Sequence, residues 1–432
     1  MTRAKSSTAP KRTKDAPGQA ARRGAVRLLL SVLEDRKSLA DLAEDPSLTG
    51  AERARAGAAA SGVLRALPEI DALLAPMLTR LPPAPVHNIL RLAVWEMRVD
   101  GVAAHAAVDG AVRQVRAGRH GRLAGLVNAV GRRVAREDEA PWAPVADLPA
   151  WLQGPVAEAY GVPAAKAIAL AHKTSPPLDL TPRDPAAAPR LAEDLQADLL
   201  PTGSLRLAGG QVSALPGYDS GEWWVQDAAA AMPVRLLGPV KDLRVADICA
   251  APGGKTMQLA AGGAAVTALD ISKPRLGRLR ENLARTGLAA RVVRADALNW
   301  TPEAPLDAVV LDAPCSATGT LRRHPDLPYV RPDPDLGPLL ELQRALLDRA
   351  LGWLRPGGRL LYCVCSLLPA EGEAQVAAAR ARHLGLSLVG EAPEGTPDGA
   401  WRDGMLRLRP DFWAERGGMD GFFAAVLQTP PG

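Results

Sequence analysis

Aromatic residues are scarce in this sequence, at 4% of its 432 residues, so leucine, valine and alanine must fill most of any hydrophobic core. No apolar run approaches the roughly 18 residues that a membrane-spanning helix needs. The basic N-terminus lacks the apolar stretch of a secretory signal. Only four cysteines are present, without disulfide-like or zinc-ligand spacing. We therefore expect a cytoplasmic protein with reduced thiols, no membrane association and no metal.

Lysine is rare as well, with nine residues against 43 arginines, so a lysine inside a motif is better explained by function than by generic surface charge. The basic charge is also uneven. Residues 1–24 carry seven Lys or Arg and one acidic residue, and residues 113–136 carry seven Arg and no acidic residue. Such segregated charge indicates a polyanionic partner such as nucleic acid. A solvated helix face beside a disordered arm is the simpler alternative.

The hydrophobic pattern divides the chain into four predicted regions. Residues 1–21 predict a disordered basic arm. Residues 22–140 have helical spacing of apolar side chains and predict an all-helical domain. Residues 141–220 combine a proline-rich linker with a helix and short strands, which predicts a small α+β subdomain. Residues 221–432 alternate strands with helices of 10–15 residues, which predicts a doubly wound α/β domain with a parallel sheet.

Seven strands and three helices are expected in this last region. The strands are predicted at 244–248, 265–269, 290–294, 308–311, 359–364, 386–389 and 421–427, and the helices at 257–261, 275–285 and 339–354.

A glycine-rich turn follows the first of these strands and opens a helix, as in nucleotide-binding sheets. Asp270 ends the second strand, at a spacing that suits ribose hydroxyls, and Asp296 ends the third, where it can reach an adenine amino group. Cys249 replaces the first glycine of a triphosphate loop, and the G-x-G-x-x-G fingerprint of NAD sites is absent, which favours S-adenosylmethionine. The turn consists of Cys249, Ala250, Ala251, Pro252, Gly253, Gly254 and Lys255.

Two cysteines follow neighbouring strands near this turn. Cys315 lies in the sequence Asp-Ala-Pro-Cys and Cys365 in Cys-Val-Cys-Ser. A thiolate that adds to carbon 6 of a cytosine makes carbon 5 nucleophilic, and Asp312 is placed to assist by hydrogen bonding to nitrogen 3. We expect Lys255 to lower the pKa of the attacking thiol. The residues alone leave open which of the two thiols attacks.

Each cysteine also has a structural interpretation, because free cysteine is among the most buried residue types. We expect Cys249 and Cys363 to pack in the core.

These motifs resemble those of the RNA cytosine carbon-5 methyltransferases, and within them the bacterial RsmB (Fmu/Sun) family that acts on small-subunit ribosomal RNA. The resemblance implies a Rossmann-like class I methyltransferase domain with a mostly parallel seven-stranded sheet. It also implies S-adenosylmethionine bound by 249–255, Asp270, Asp296 and Asp312. Cys365 is then the nucleophile, and Cys315 assists product release. The matching motifs are 247–256, 311–319, 322–326 and Cys365-Ser366 with Pro369 and Glu371.

The N-terminal half is similar to the NusB-like RNA-binding domain that these enzymes carry, through segments 90–97, 104–108 and 127–130. The resemblance implies small-subunit ribosomal RNA as the partner of a monomeric enzyme. Arg132 and Arg133 are then expected RNA contacts, together with Arg322 and Arg323 of the third motif.

The chain departs from the family pattern at three places, one of which is Tyr329, where a Trp is usual. Cys363-Val364 precede the expected nucleophile where the family commonly has Ala-Thr, and Thr181-Pro182-Arg183 stand where Arg-Val-Asn is expected. Two other functions stay open. One is cytosine methylation of transfer RNA or large-subunit RNA, and the other is a non-catalytic RNA-binding assembly factor.

Overall fold

The chain folds as two units, which a computed structural model describes over residues 18–42, 45–137, 142, 145 and 147–432. One unit comprises residues 1–145 with 324–332, and the other comprises 146–323 with 333–432. Most of the predicted basic arm lies outside the described residues, and the first helix begins at Gln19. The boundaries proposed at residues 140 and 220 stay predictions.

The helices of the described residues are α1 (Gln19–Leu33), α2 (Gly50–Arg65), α3 (Leu67–Leu74), α4 (Ala84–Arg98), α5 (Ala104–Ala117), α6 (Ala124–Arg136), α7 (Ala150–Tyr160), α8 (Val162–His172), α9 (Ala188–Leu195), α10 (Ala228–Arg235), α11 (Gly254–Ala261), α12 (Lys273–Thr286), α13 (Leu327–Val330), α14 (Gly337–Leu351) and α15 (Glu373–Arg382).

The strands are β1 (Leu178–Pro182), β2 (Asp198–Leu199), β3 (Leu205–Leu207), β4 (Trp223–Val225), β5 (Arg244–Ile248), β6 (Ala265–Asp270), β7 (Arg291–Arg294), β8 (Leu306–Asp312), β9 (Leu354–Val364), β10 (Ser387–Val389), β11 (Trp401–Arg402), β12 (Met405–Leu408) and β13 (Phe422–Gln428).

The first unit is helical throughout its described part, as the spacing of apolar residues predicts. Its core consists mainly of leucine, valine and alanine from α1 to α6, with Trp95 as the one large buried aromatic side chain among these described residues. Helix α2 begins with a capping box, in which Thr49 Oγ1 accepts from the backbone N–H of Glu52 and the Glu52 carboxylate accepts from Thr49. This reciprocal bonding satisfies two otherwise unpaired donors and fixes where the helix starts.

The segment 324–332 comes late in the chain but belongs to the helical unit. The buried Asp326 carboxylate accepts hydrogen bonds from Ser38 Oγ (2.9 Å) and from the Leu39 backbone (2.8 Å). Tyr329 donates from its hydroxyl to the Leu64 carbonyl at 3.0 Å, and burial raises the pKa of this phenol. These bonds, together with apolar packing of Tyr329, explain why α13 groups with the helices of this unit.

The second unit contains two sheets. The smaller has the strand order β2-β3-β1-β4 and is antiparallel throughout. Trp223 and Leu180 fill its core, and a buried ion pair joins Arg206 to Asp179 at 2.7 Å. This sheet is the connecting subdomain predicted from the short strands.

The larger sheet has the order β11-β12-β13-β9-β8-β5-β6-β7, with β10 paired to β13. Strands β9, β8, β5, β6 and β7 are parallel, whereas the other four pair antiparallel. Strand order reverses on either side of β5, since β6 lies on one side of it and β8 on the other. Ligands bind outside the carboxyl ends of parallel strands at such a switch point. The glycine-rich turn and both candidate thiols follow strands that end at this edge.

The predicted fold class is confirmed, but the larger sheet has nine strands instead of seven. All seven predicted strands are present, and the two additional ones are β11 and β12. Asp403 and Gly404 join them in a two-residue turn, with φ angles of 51° and 77°. Asp-Gly is a characteristic sequence for such a turn because both positions need positive φ. The dipeptide Asp403-Gly404 is therefore the sequence signal for this hairpin.

Among the described residues, no helix combines the length and the apolar character that crossing a membrane requires.

Candidate active site

The glycine-rich turn joins β5 to α11 at the switch point. Gly253 has a φ of 109°, a backbone conformation that favours glycine, and a Cβ at this position would lie 3.1 Å from Leu279 Cγ. Glycine therefore meets both the conformation and the close packing that the turn requires. Helix α11 begins at the next residue, so its first backbone N–H groups lie at the carboxyl edge of the sheet.

Asp270 holds the turn beside the second parallel strand. Its carboxylate is buried and accepts hydrogen bonds from the Ala251 backbone (3.2 Å) and the Ser272 backbone (2.8 Å). Arg275 lies 3.6 Å from the same carboxylate and also donates to the Ala251 carbonyl. The predicted ribose-binding residue thus organises the turn through its own hydrogen bonds.

Asp296 follows the third parallel strand and shapes the next loop. One of its oxygens accepts from the Leu298 backbone (3.0 Å), and the other accepts from the Asn299 side chain (2.8 Å). Two exposed apolar side chains follow the two acidic residues, Ile271 next to Asp270 and Leu298 two residues after Asp296. Their exposed fractions are 66% for Ile271 and 36% for Leu298. Sequence reasoning missed them, although an apolar residue after each strand-end aspartate was visible. An adenine ring would bury such apolar surfaces.

Asp247 is buried within the sheet below the turn. Thr256 donates to its Oδ2 at 2.5 Å, and Oδ1 has no hydrogen-bond partner among the described residues. Burial raises the pKa of this carboxyl to about 7. It therefore serves mainly to tie β5 to α11.

Lys255 pairs with Asp312 across the edge of the sheet. Its Nζ lies 2.8 Å from Asp312 Oδ2 and 4.7 Å from the centre of the Phe422 ring. Burial alone would lower the pKa of this lysine, yet the Asp312 charge raises it above its ordinary value. The lysine is therefore a permanent cation that orients Asp312, whose side chain keeps 32% exposure. The thiol nearest to this ion pair is that of Cys363, at 3.6 Å from Asp312 Oδ1.

The structure brings the two candidate thiols together. Cys315 Sγ and Cys365 Sγ lie 3.5 Å apart, within hydrogen-bonding distance for sulfur. The pKa of Cys315 lies well above its ordinary range, because the hydrogen bond with Cys365 and burial both favour the protonated thiol. Cys315 is thus suited to hold a proton next to Cys365.

Cys249 and Cys363 lie in surroundings that differ from those of the Cys315–Cys365 pair. Burial raises the pKa of Cys249 to about 12 and that of Cys363 well above its usual range. Cys363 has no exposed surface and packs within β9, while Cys249 packs at the edge of the core. Both fit the packing role expected of them.

Arg322 needs a correction, because its side chain is only 1% exposed. It binds Asp227 at 2.8 Å and Asp420 at 2.6 Å, and the neighbouring Arg323 binds both of the same carboxylates. Burial would raise the pKa of Asp227, but the charges of Arg323 and Arg322 lower it to about 2. We therefore assign Arg322 to a buried four-residue ion-pair cluster instead of an RNA contact. Arg323, with 26% exposure, is mainly part of the same cluster.

Arg132 and Arg133, the other predicted RNA contacts, are exposed on α6 in the helical unit. Arg133 forms an ion pair with Glu137 at 2.9 Å. Their part in RNA binding stays a prediction. In the portion of the chain that the structure describes, no group of three or more His, Cys, Asp or Glu side chains could hold a metal ion.

Comparison with known proteins gives two family matches. Residues 234–428 match the family described as 16S rRNA methyltransferase RsmB/F, and residues 19–136 match the NusB family. Among curated relatives, the ribosomal RNA small subunit methyltransferase B of Xanthomonas campestris is 36% identical over 441 residues, covering 95% of this chain and 98% of its own. The protein of the same name from Enterobacter is 34% identical over 391 residues, covering 85% of this chain and 88% of its own.

Solved structures share the fold. The crystal structure of PH0851 has a TM-score of 0.73 at 21% identity and covers 96% of this chain and 99% of that one. A methyltransferase homologue from Pyrococcus horikoshii has a TM-score of 0.53 at 25% identity, over 64% of this chain and 93% of that one. The predicted NusB-like domain, methyltransferase fold and S-adenosylmethionine cofactor are confirmed.

Proposed function

The chain belongs to the RsmB/F family of 16S rRNA methyltransferases, and we propose that it methylates carbon 5 of a cytosine in 16S ribosomal RNA. The proposed route is a covalent bond between Cys365 Sγ and carbon 6 of the cytosine. The observation that carries this proposal is the 3.5 Å approach of Cys315 Sγ to Cys365 Sγ. Asp312 and the glycine-rich turn follow strands that end at the same edge of the sheet.

The residues around the turn fit the cofactor of the family. Asp270 and Asp296 provide carboxylates for ribose and adenine, and Ile271 and Leu298 provide apolar surface for the ring. The turn itself has the backbone N–H groups of the α11 start but no triphosphate-binding sequence. When bound, S-adenosylmethionine supplies an activated methyl group.

Cys365 starts the reaction by forming the bond from Sγ to carbon 6, which leaves carbon 5 rich in electrons. Asp312 assists as the hydrogen-bond acceptor for a proton that nitrogen 3 takes up as the bond to carbon 6 forms, which balances the proton that the Cys365 thiol loses. Its ion pair with Lys255 holds the carboxylate in place. A base held by this bond and this hydrogen bond needs little further ordering to react, and positioning of this kind can supply a large part of a rate enhancement.

Cys315 completes the cycle in this proposal. Once its proton has passed to solvent, the Cys315 thiolate can take the carbon 5 proton after methylation. The bond between Sγ and carbon 6 then breaks as the double bond of the base forms again. The raised pKa of Cys315 suits this step, because a thiolate with a high pKa is a strong base.

The proposal is tested by incubating the protein with labelled S-adenosylmethionine and three RNA fractions in parallel: 16S, 23S and transfer RNA. We expect label as 5-methylcytosine in 16S RNA and none when Cys365→Ala replaces the wild type. Label in transfer RNA or 23S RNA alone would overturn the choice of substrate. Binding of 16S RNA without any transfer would favour a non-catalytic assembly factor. A monomer in the cytoplasm stays our prediction for the enzyme.

A further inference from the structure

We propose that Glu371 is a positioning residue that fixes both thiols by binding the serine that follows each of them. Ser316 follows Cys315, and Ser366 follows Cys365. The inference rests on the proposed function for its catalytic meaning. Its structural part concerns the distance between the two sulfur atoms and can be tested separately.

The Glu371 side chain has no exposed surface, and both of its oxygens are fully engaged. Oε1 accepts from the Ser316 backbone N–H (2.8 Å) and from Gln343 Nε2 (2.9 Å). Oε2 accepts from Ser316 Oγ and Ser366 Oγ, each at 2.5 Å. One buried carboxylate therefore accepts four hydrogen bonds and joins the two loops that carry the thiols.

Neighbouring groups hold the same two loops. Gln343 Nε2 also donates to the Pro314 carbonyl at 2.9 Å, directly before Cys315. Thr318 Oγ1 accepts from the Leu367 backbone at 2.9 Å and lies 3.2 Å from Ser366 Oγ. The carboxylate is thus at the centre of a buried polar network, and such networks keep a single geometry only when their members are satisfied.

The backbone of Glu371 is itself held by two hydrogen bonds. The Tyr362 hydroxyl, on β9, donates to the Glu371 carbonyl at 2.7 Å, and the Glu371 backbone N–H donates to Leu368 at 3.1 Å. The Glu371 backbone is therefore anchored to β9 and to the loop that carries Cys365. A fixed acceptor of this kind sets where Ser316 and Ser366 lie.

The need for a carboxylate follows from the donors around it. All four partners donate, so a glutamine would place an NH2 group against two of them. If that NH2 takes the Oε2 position, the two serine hydroxyls can rotate and accept hydrogen bonds from it. If it takes the Oε1 position, it faces the Ser316 N–H and Gln343 Nε2, which only donate. We therefore expect Glu371→Gln to keep part of the geometry and Glu371→Ala to lose it.

The experiment treats the full-length protein with the mild thiol oxidant diamide. The rate of disulfide formation then reports how closely the two sulfur atoms approach. Diamide accepts two electrons and two protons, so the two thiols become one disulfide and diamide becomes the hydrazine. We expect Glu371→Ala to slow formation of the Cys315–Cys365 disulfide and to lower kcat by roughly 100-fold, the effect of a displacement of about 1 Å. Glu371→Gln should lie between that variant and the wild type. The affinity for S-adenosylmethionine should stay unchanged.

Glu341→Gln is the matched control, because this glutamate is exposed on α14 and forms an ion pair with Arg344 at 2.7 Å. Peptide mapping identifies the disulfide, and the melting temperature identifies any loss of folding. If Glu371→Ala fails to fold, Ser316→Ala replaces it in the test. That change removes the contacts of Ser316 Oγ with Glu371 Oε2, Thr318 Oγ1 and Ser366 Oγ.

Wild-type rates of disulfide formation in Glu371→Ala, or in its Ser316→Ala replacement, would overturn the proposal. So would a wild-type protein in which diamide forms no Cys315–Cys365 disulfide, because the invoked geometry would then be absent. If Glu371→Ala slows formation of the disulfide but the wild-type protein transfers no methyl group, the positioning role stands and the proposed function is overturned instead.

Discussion

The four cysteines form two groups that differ in surroundings: Cys249 and Cys363 pack in or against the core, whereas Cys315 and Cys365 approach each other. Cys363 and Cys365 are two residues apart, yet Cys363 lies within β9 with no exposed surface, while Cys365 lies beyond the strand against Cys315. Cys249 also follows a parallel strand, and its pKa is raised by burial to about 12. A place at the end of a strand therefore does not decide the role that we propose for a thiol, and the approach of Cys315 to Cys365 distinguishes that pair.

The largest expected effect is the loss of methyl transfer on substitution of Cys365, compared with substitution of Cys363. Cys365→Ala should reduce methyl transfer at least roughly 1,000-fold, because loss of a nucleophile removes the covalent route. Transfer of label from S-adenosylmethionine to 16S RNA measures this change. Cys363→Ala is the matched control two positions away, and an equal loss in that variant would show that the two groups are not distinct.

The pH dependence of the alkylation rate should distinguish Cys249 from an ordinary thiol. Only thiolates react, and a pKa of about 12 leaves Cys249 about 1 part in 10,000 ionised at pH 8, which is roughly 1,000-fold below an unperturbed cysteine. Its labelling by iodoacetamide should rise about tenfold per pH unit up to pH 10 or above. Peptide mass spectrometry at several pH values measures the rate, and a plateau below pH 9 would contradict the burial account.

Lys255→Met tests the ion pair next to Cys363. Without the lysine, Asp312 loses the contact that orients it, and we expect kcat to fall by roughly 10- to 100-fold with a smaller change in KM for RNA. The exposed Lys273→Met is the control. If the rate of Cys365 alkylation fell in parallel, Lys255 would act on the thiol, as the sequence suggested, and not through Asp312.

The smallest effect is expected from Cys363→Ala itself. Removing a buried sulfur from β9 should lower the free energy of unfolding by about 1–2 kcal/mol through the cavity that it leaves. Methyl transfer should stay within about threefold of the wild type. Denaturant unfolding and the transfer assay give the two values. A large loss of activity with unchanged stability would assign Cys363 to the chemistry.

Much of this arrangement follows from sequence because parallel strands bring their carboxyl ends to one edge. The strands before Cys249, Asp270 and Cys365 were predicted within a few residues of their ends. Strand β9 starts earlier than expected, at Leu354. Pro356 and the two glycines after it resemble a turn, and they lie in an irregularity between the pairs Leu306–Leu354 and Ala308–Arg359.

Side-chain partners could not be predicted in the same way. Arg322 resembled a surface contact, but burial depends on Asp227 and Asp420, which lie about 100 residues away in the chain on either side. Lys255 pairs with Asp312, a contact that the sequence did not predict, and its effect on the attacking thiol stays a prediction. The four bonds to Glu371 involve loops separated by 50 residues, and no periodicity encodes them. Such contacts arise only from tertiary packing.

The account depends most directly on which sulfur bonds to RNA. The decisive measurement is mass spectrometry of the protein–RNA adduct that accumulates when Cys315→Ala is incubated with 16S RNA and S-adenosylmethionine, after digestion of both chains. We predict a nucleotide on the peptide that contains Cys365 and no adduct in Cys365→Ala. An adduct on Cys315 in the Cys365→Ala protein, with none in Cys315→Ala, would contradict the account.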